Sequence, residues 1–83
     1  MSTVYKFLGT QVALSSANNV NSSGLIRVIN NSATAGVLTV AYANGTTYAN
    51  TTLGPNESII VEKGKTDTLA GSSMLGTPVA YRN

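Results

Sequence analysis

Glu57, Glu62 and Asp67 are the only acids in a chain of 83 residues that has no histidine and no cysteine. General acid–base catalysis, covalent catalysis and metal binding draw on imidazoles, thiolates or carboxylates gathered together. A calcium loop concentrates its acids within a short segment, whereas these three stand at five-residue intervals. They read as solvated or ion-paired groups near strand ends. Serine and threonine hydroxyls are abundant, but a nucleophile needs a base to take its proton, and the amines with reach are Lys6, Lys63 and Lys65. Glycines occur singly, without the spacing of a dinucleotide or phosphate loop. The expectation is a protein that is not an enzyme and carries no cofactor and no metal.

Charge narrows the partners. Lys6, Arg27, Lys63, Lys65 and Arg82 against three acids give a formal charge of +2. A surface that tracks phosphates needs clustered Lys and Arg with aromatics between them. Only Lys63-Gly64-Lys65 approaches that, and Glu62 and Asp67 flank it, so it reads as a solvated turn. No nucleic acid is expected. The opening Met1-Ser2-Thr3-Val4-Tyr5-Lys6 lacks the pattern of a signal peptide, and no apolar run approaches the ~18 residues of a membrane span. The protein is expected to be made in a cytoplasm, without a membrane partner. Sequons start at Asn21, Asn30, Asn44, Asn50 and Asn56 and are read as turn residues rather than glycan acceptors.

The elements that must carry this surface are short β-strands. Residues 3–8 alternate, residues 11–14 make a short second strand, and residues 15–23 are a polar loop. Residues 25–30 are a strand with Ile26 and Val28 inward, because the other register buries Arg27. After a turn at 31–36, residues 37–43 place Leu38, Val40 and Tyr42 on the core face. Asn44-Gly45 between two β-prone runs predicts a type I′ hairpin joining 37–43 to 46–53. Gly54-Pro55-Asn56-Glu57 is a second turn. Residues 58–63, apolar through Ile59, Ile60 and Val61, read as a central strand or one covered on both sides. Pro78 removes a ladder donor, so the last strand begins there or lies at an edge. The fold class is all-β: a small antiparallel β-sandwich or barrel of six to eight short strands, in one domain over residues 1–83. A fold of this size buries only about 60–65% of its unfolded surface. With disulfides and metal ligands lacking, association with its own copies or a larger partner is the expected reinforcement.

The aromatics are Tyr5, Phe7, Tyr42, Tyr48 and Tyr81. Those near the chain ends, Tyr5, Phe7 and Tyr81, together with Val79, are the candidate partner contacts. An alternative ligand site, of the kind that stacks sugar on a ring beside amides, would use Tyr48 with Asn44 and Asn50.

Leu53-Gly54-Pro55-Asn56-Glu57-Ser58-Ile59-Ile60-Val61-Glu62-Lys63, then Thr66-Asp67-Thr68-Leu69 and the ending Gly76-Thr77-Pro78-Val79-Ala80-Tyr81, resembles small virion proteins of tailed bacteriophages, particularly those of cyanobacterial phages. Leu25-Ile26-Arg27-Val28-Ile29-Asn30-Asn31 resembles the strand and turn that precede this pattern in them. The resemblance runs from about residue 23 onward, and residues 1–23, where it is less clear, stand open as an extended contact segment. It implies a β-sandwich subunit on the capsid surface of the virion, a head decoration or cement protein bound to the major capsid protein and associated with its own copies. A tail or fibre subunit with a receptor- or carbohydrate-binding role is the alternative.

Overall fold

The computed structural model describes residues 5–81 of the chain. Their strands are β1 (Tyr5–Phe7), β2 (Val12–Ala13), β3 (Leu25–Asn30), β4 (Gly36–Ala41), β5 (Thr47–Leu53), β6 (Ser58–Glu62), β7 (Thr68–Ala70) and β8 (Met74–Tyr81). β1, β8, β3 and β6 lie side by side in that order with β2 also on β8, and β5, β4 and β7 form a second sheet. Every pairing is antiparallel. The small all-β fold that the alternation predicts is the one observed, in the sandwich form. Thr3 and Val4, the start of the expected first strand, lie outside the described residues.

Alternation in β3 decides how the layers meet. Ile26 and Val28 point inward and are fully buried, and the same phase carries Asn30 into the interior. Leu14, Val20 and Met74 join them, and Leu38, Leu53 and Leu69 close over them from the other sheet. One side of the sandwich is sealed by the chain itself. Asn18 exchanges backbone hydrogen bonds with Leu69 of β7 (3.0 and 2.9 Å), while Leu14 receives one from Gly71 and donates one to Met74.

Pro78, β6 and the Asn44-Gly45 hairpin depart from what the sequence predicts. Pro78 neither starts its strand nor lies at an edge, for β8 begins at Met74 and runs between β1 and β3. The Pro78 carbonyl accepts from Leu8 N (2.9 Å). Its missing N–H therefore faces the same side, where β1 has ended and β2 has not begun, so no ladder bond is lost. β6 is not central: among the described residues it pairs with β3 alone and forms a sheet edge. Ile59 and Val61 pack against the core, while Ile60 lies opposite Arg27 on the outer face. The hairpin at Asn44-Gly45 forms, but as a three-residue loop. Tyr42 receives Gly45 N and donates to Thr46 O, both at 2.9 Å, and only Gly45 has positive φ (+94°). That is the type I turn with a following left-handed glycine. The Gly54–Glu57 turn keeps Pro55 before a left-handed Asn56 (φ 60°), as a type II turn requires, and the Glu57 carboxylate accepts from Gly54 N at 2.6 Å.

The polar loop after β2 hides the least expected core residue. Val20, Asn21 and Ser22 are all left-handed, with φ of 51°, 59° and 54°, a conformation that costs L-residues roughly 1–2 kcal/mol each. Asn18 Oδ1 receives Val20 N (2.7 Å), and Asn19 Oδ1 receives Ser22 N (3.2 Å). Val20 sits at 0% exposure. Burial and side-chain caps thus offset strain over one turn. Ser22 is exposed, so Ser22→Gly relieves strain without uncovering the core. After the added flexibility of the unfolded glycine chain is subtracted, a gain of about 0.5 kcal/mol is expected, read as an upward shift in thermal unfolding.

Candidate functional site

The structure divides the predicted contact residues. Phe7 ends the edge strand β1 and is 70% exposed, and Leu8 beyond it is 49% exposed. Val79 lies directly opposite Phe7, yet it is only 2% exposed, because β8 has neighbours on both sides and its middle is covered. Val79 therefore offers no side-chain surface to a partner. The side chains of Tyr5 and Tyr81 lie outside what is described. Their backbones are paired across β1 and β8.

The alternative set is rearranged. Val40 pairs with Ala49 but Ala41 with Thr47, so Tyr48 is the extra residue of a β-bulge. Tyr42 lies one residue beyond the end of β4, where the hairpin loop begins. It is 51% exposed rather than core, and its ring lies 4.3 Å from that of Tyr48, centroid to centroid. Tyr48, itself 42% exposed, donates its hydroxyl to Asp67 Oδ2 at 2.6 Å. The same oxygen receives Gly64 N at 3.2 Å. A Cβ on Gly64 would lie 2.9 Å from it, so glycine is what lets the carboxylate close on the turn. Asn50 shares the rim of a groove with Tyr48. Asn44 is elsewhere engaged, its Oδ1 receiving Thr46 N at 2.9 Å.

The structure thus keeps Tyr48 and Asn50 together, separates Asn44 from them, and adds Tyr42 and Asp67, which the sequence reading does not place there. Asp67 is nineteen residues from Tyr48, and no local pattern links them. The Asp67 hydrogen bond, with the nearby negative charge, pushes the Tyr48 phenol from 10.0 up to about 12. A raised phenol pKa favours the folded state below the unfolded value of 10, and that contribution disappears as pH climbs through 12. In a titration followed by phenolate absorbance, Tyr48 is expected to ionise only near 12. Asp67→Asn should bring it back toward the ordinary value.

The Lys63-Gly64-Lys65 turn is not wholly solvated. Lys63 is 7% exposed, and its ammonium donates to Ser23 O (2.7 Å) and Gly64 O (3.1 Å). Backbone pairing of Lys63 N with Gly24 O (2.9 Å) draws the residue in, and burial lowers its pKa against the opposing pull of Asp67. The unfolded chain holds that proton more tightly, so this lysine's contribution to stability rises with pH through its titration.

Two edges that are unpaired among the described residues, β5 and β6, border the side of the sandwich opposite the sealed one. Between them runs a groove of about 340 Å³. Leu38, Val40, Ala49 and Thr51 line it from one sheet, Ile59 and Val61 from the other. Ala49 and Thr51 share the inner face with Leu38 and Leu53 and are nevertheless exposed. The interior is open here.

Among the described residues no three acids gather where a metal ion could sit, and no helix is long and apolar enough to cross a membrane. Asn30 of the Asn30 sequon is fully buried, so in the folded protein it cannot accept a glycan. Comparison with known protein families, with curated proteins and with solved structures finds no match.

Proposed function

We propose that this chain is a non-enzymatic structural protein of a tailed-phage virion, a head decoration or cement protein that binds the major capsid protein on the outer shell and stabilises it. The reading is supported by the strand and turn motifs from about residue 23 onward and by an all-β sandwich of fitting size. The observation that carries it is the exposed apolar pair at the β1 edge, Phe7 at 70% and Leu8 at 49%. A monomer gains nothing from presenting a phenyl ring to water, whereas an interface core is rich in aromatics and poor in charge. Many equivalent contacts of this kind, each modest, add up over a shell.

Purified protein mixed with undecorated phage heads should bind saturably at a fixed ratio to shell subunits. Phe7→Ser with Leu8→Ser should abolish that binding while leaving circular dichroism and thermal unfolding unchanged. An absence of binding by the wild-type protein refutes decoration and moves the assignment to the tail.

A second reading has its own observation. Tyr42 and Tyr48 form an exposed ring pair beside Asn50 and Asp67, the surface a carbohydrate-binding tail or fibre subunit would use. Specific hits on a sugar array, lost in Tyr48→Ala, would establish it.

A further inference from the structure

The geometry points to an interface between two copies of this chain, in which β5 pairs antiparallel with β5 of a second copy about Thr51. An unpaired strand edge is a template for another strand, and proteins blunt it with lysine, proline, inward charge or a covering segment. The β7 edge is covered by Asn18, and β6 carries exposed Glu62 at its end. β5, Thr47–Leu53, has no charge and no proline, and Thr47–Thr52 are exposed on both faces.

Chemistry selects a copy of itself as the occupant. Antiparallel self-pairing sets each side chain against its symmetry equivalent, so any charge near the centre would meet its like. Here it meets none. The bulge at Tyr48 ends regular pairing on one side and the Gly54-Pro55 turn ends it on the other, leaving 49–53 as the straight segment. Its centre is Thr51. Thr51 then faces Thr51 of the copy, Asn50 faces Thr52, and Ala49 faces Leu53, all neutral pairs that fit an antiparallel ladder. The added strand continues the three-stranded sheet over the open groove. It covers the inner-face side chains Ile59 and Val61, which the chain itself leaves half-exposed. This interface is a property of the free protein and stands or falls separately from attachment to a head.

The chain has no cysteine, so single cysteines report the register cleanly. In Thr51→Cys the two Cα atoms would face each other at about 4.5–5.5 Å, inside disulfide range. Thr47→Cys on the same exposed strand would sit roughly 27 Å from its equivalent, eight residues along the ladder. Mild oxidation is expected to convert Thr51→Cys to a covalent dimer and leave Thr47→Cys monomeric. Sedimentation of the wild-type protein should show a concentration-dependent dimer, weakened at least tenfold by Thr51→Lys, with circular dichroism confirming that the variant folds. A wild-type chain that stays monomeric at millimolar concentration overturns the proposal. So do equal cross-linking of both cysteine variants, a dimer untouched by Thr51→Lys, and a groove that takes up unrelated extended peptides while the chain remains monomeric.

Discussion

Asn30→Asp is expected to destabilise the protein by about 3–5 kcal/mol at neutral pH, the cost of an unpaired buried charge. Asn30 is fully buried, and the two hydrogens of its Nδ2 are shared among three carbonyls: Thr34 O (3.0 Å), Leu53 O (3.1 Å) and Gly54 O (3.0 Å). These belong to the turn after β3 and to the end of β5, so one amide ties the first sheet to the second. An aspartate places an anion where three oxygens already converge. Its proton is then held above the ordinary carboxylate value, because burial and carbonyl dipoles both oppose ionisation. Protonated, it can donate one of the lost bonds. With the folded pKa raised, the variant is relatively most stable below the unfolded value of about 3.9 and loses ground as pH rises through the folded value. Urea unfolding at pH 3 and at pH 7 should show the deficit against wild type shrinking in acid. A deficit that is the same at both pH values would show that the loss comes from the missing N–H donors and not from charge. For a domain of this size, with a total stability of about 4–12 kcal/mol, the full effect at pH 7 removes between about a quarter of that total and all of it.

What the sequence made legible follows from period. In β3 the alternation of Ile26 and Val28 announced the buried face, and the same count reaches Asn30 two residues on. A polar residue at the end of an apolar phase was the available signal, and only the sheets' convergence on its amide gives it a purpose. Val20 is the opposite case, one aliphatic residue inside a polar loop whose burial depends on a left-handed turn that no propensity favours. Tyr42 shows the limit of counting by two: the alternation carries past Ala41, where β4 ends, and beyond the strand the ring stacks on Tyr48 instead of entering the core. The continuous apolar run of β6 reads as a central strand or one covered on both sides, yet β6 lies at a sheet edge, with Ile59 and Val61 on an open groove and Ile60 opposite Arg27. Tyr48 and Asn50 stand on one strand and border one groove, a nearness that sequence spacing shows. Asp67 reaches Tyr48 only through the placement of the loop before β7.

The sealed and open sides of the sandwich give opposite responses to the same truncation. Leu69→Ala is expected to cost about 3–4 kcal/mol, within the range for burying a cavity in place of a leucine. Leu69 has no exposed surface, and its neighbours are pinned. Its own backbone is clipped to Asn18 on one side and paired to Val40 on the other. Such a site cannot collapse to fill the void, and the cavity term adds to the lost transfer energy. Ile59, equally aliphatic, packs on the same cluster but borders the groove. Solvent already reaches it, and truncation there widens an opening instead of creating an enclosed void. Ile59→Ala should therefore cost no more than about half as much in the monomer. Denaturant midpoints measured at low protein concentration separate the two. Above the concentration at which β5 edges pair, the cost of Ile59→Ala should rise toward that of Leu69→Ala, since the second copy then covers the side chain that water had reached. Equal costs at every concentration would mean that nothing closes the groove.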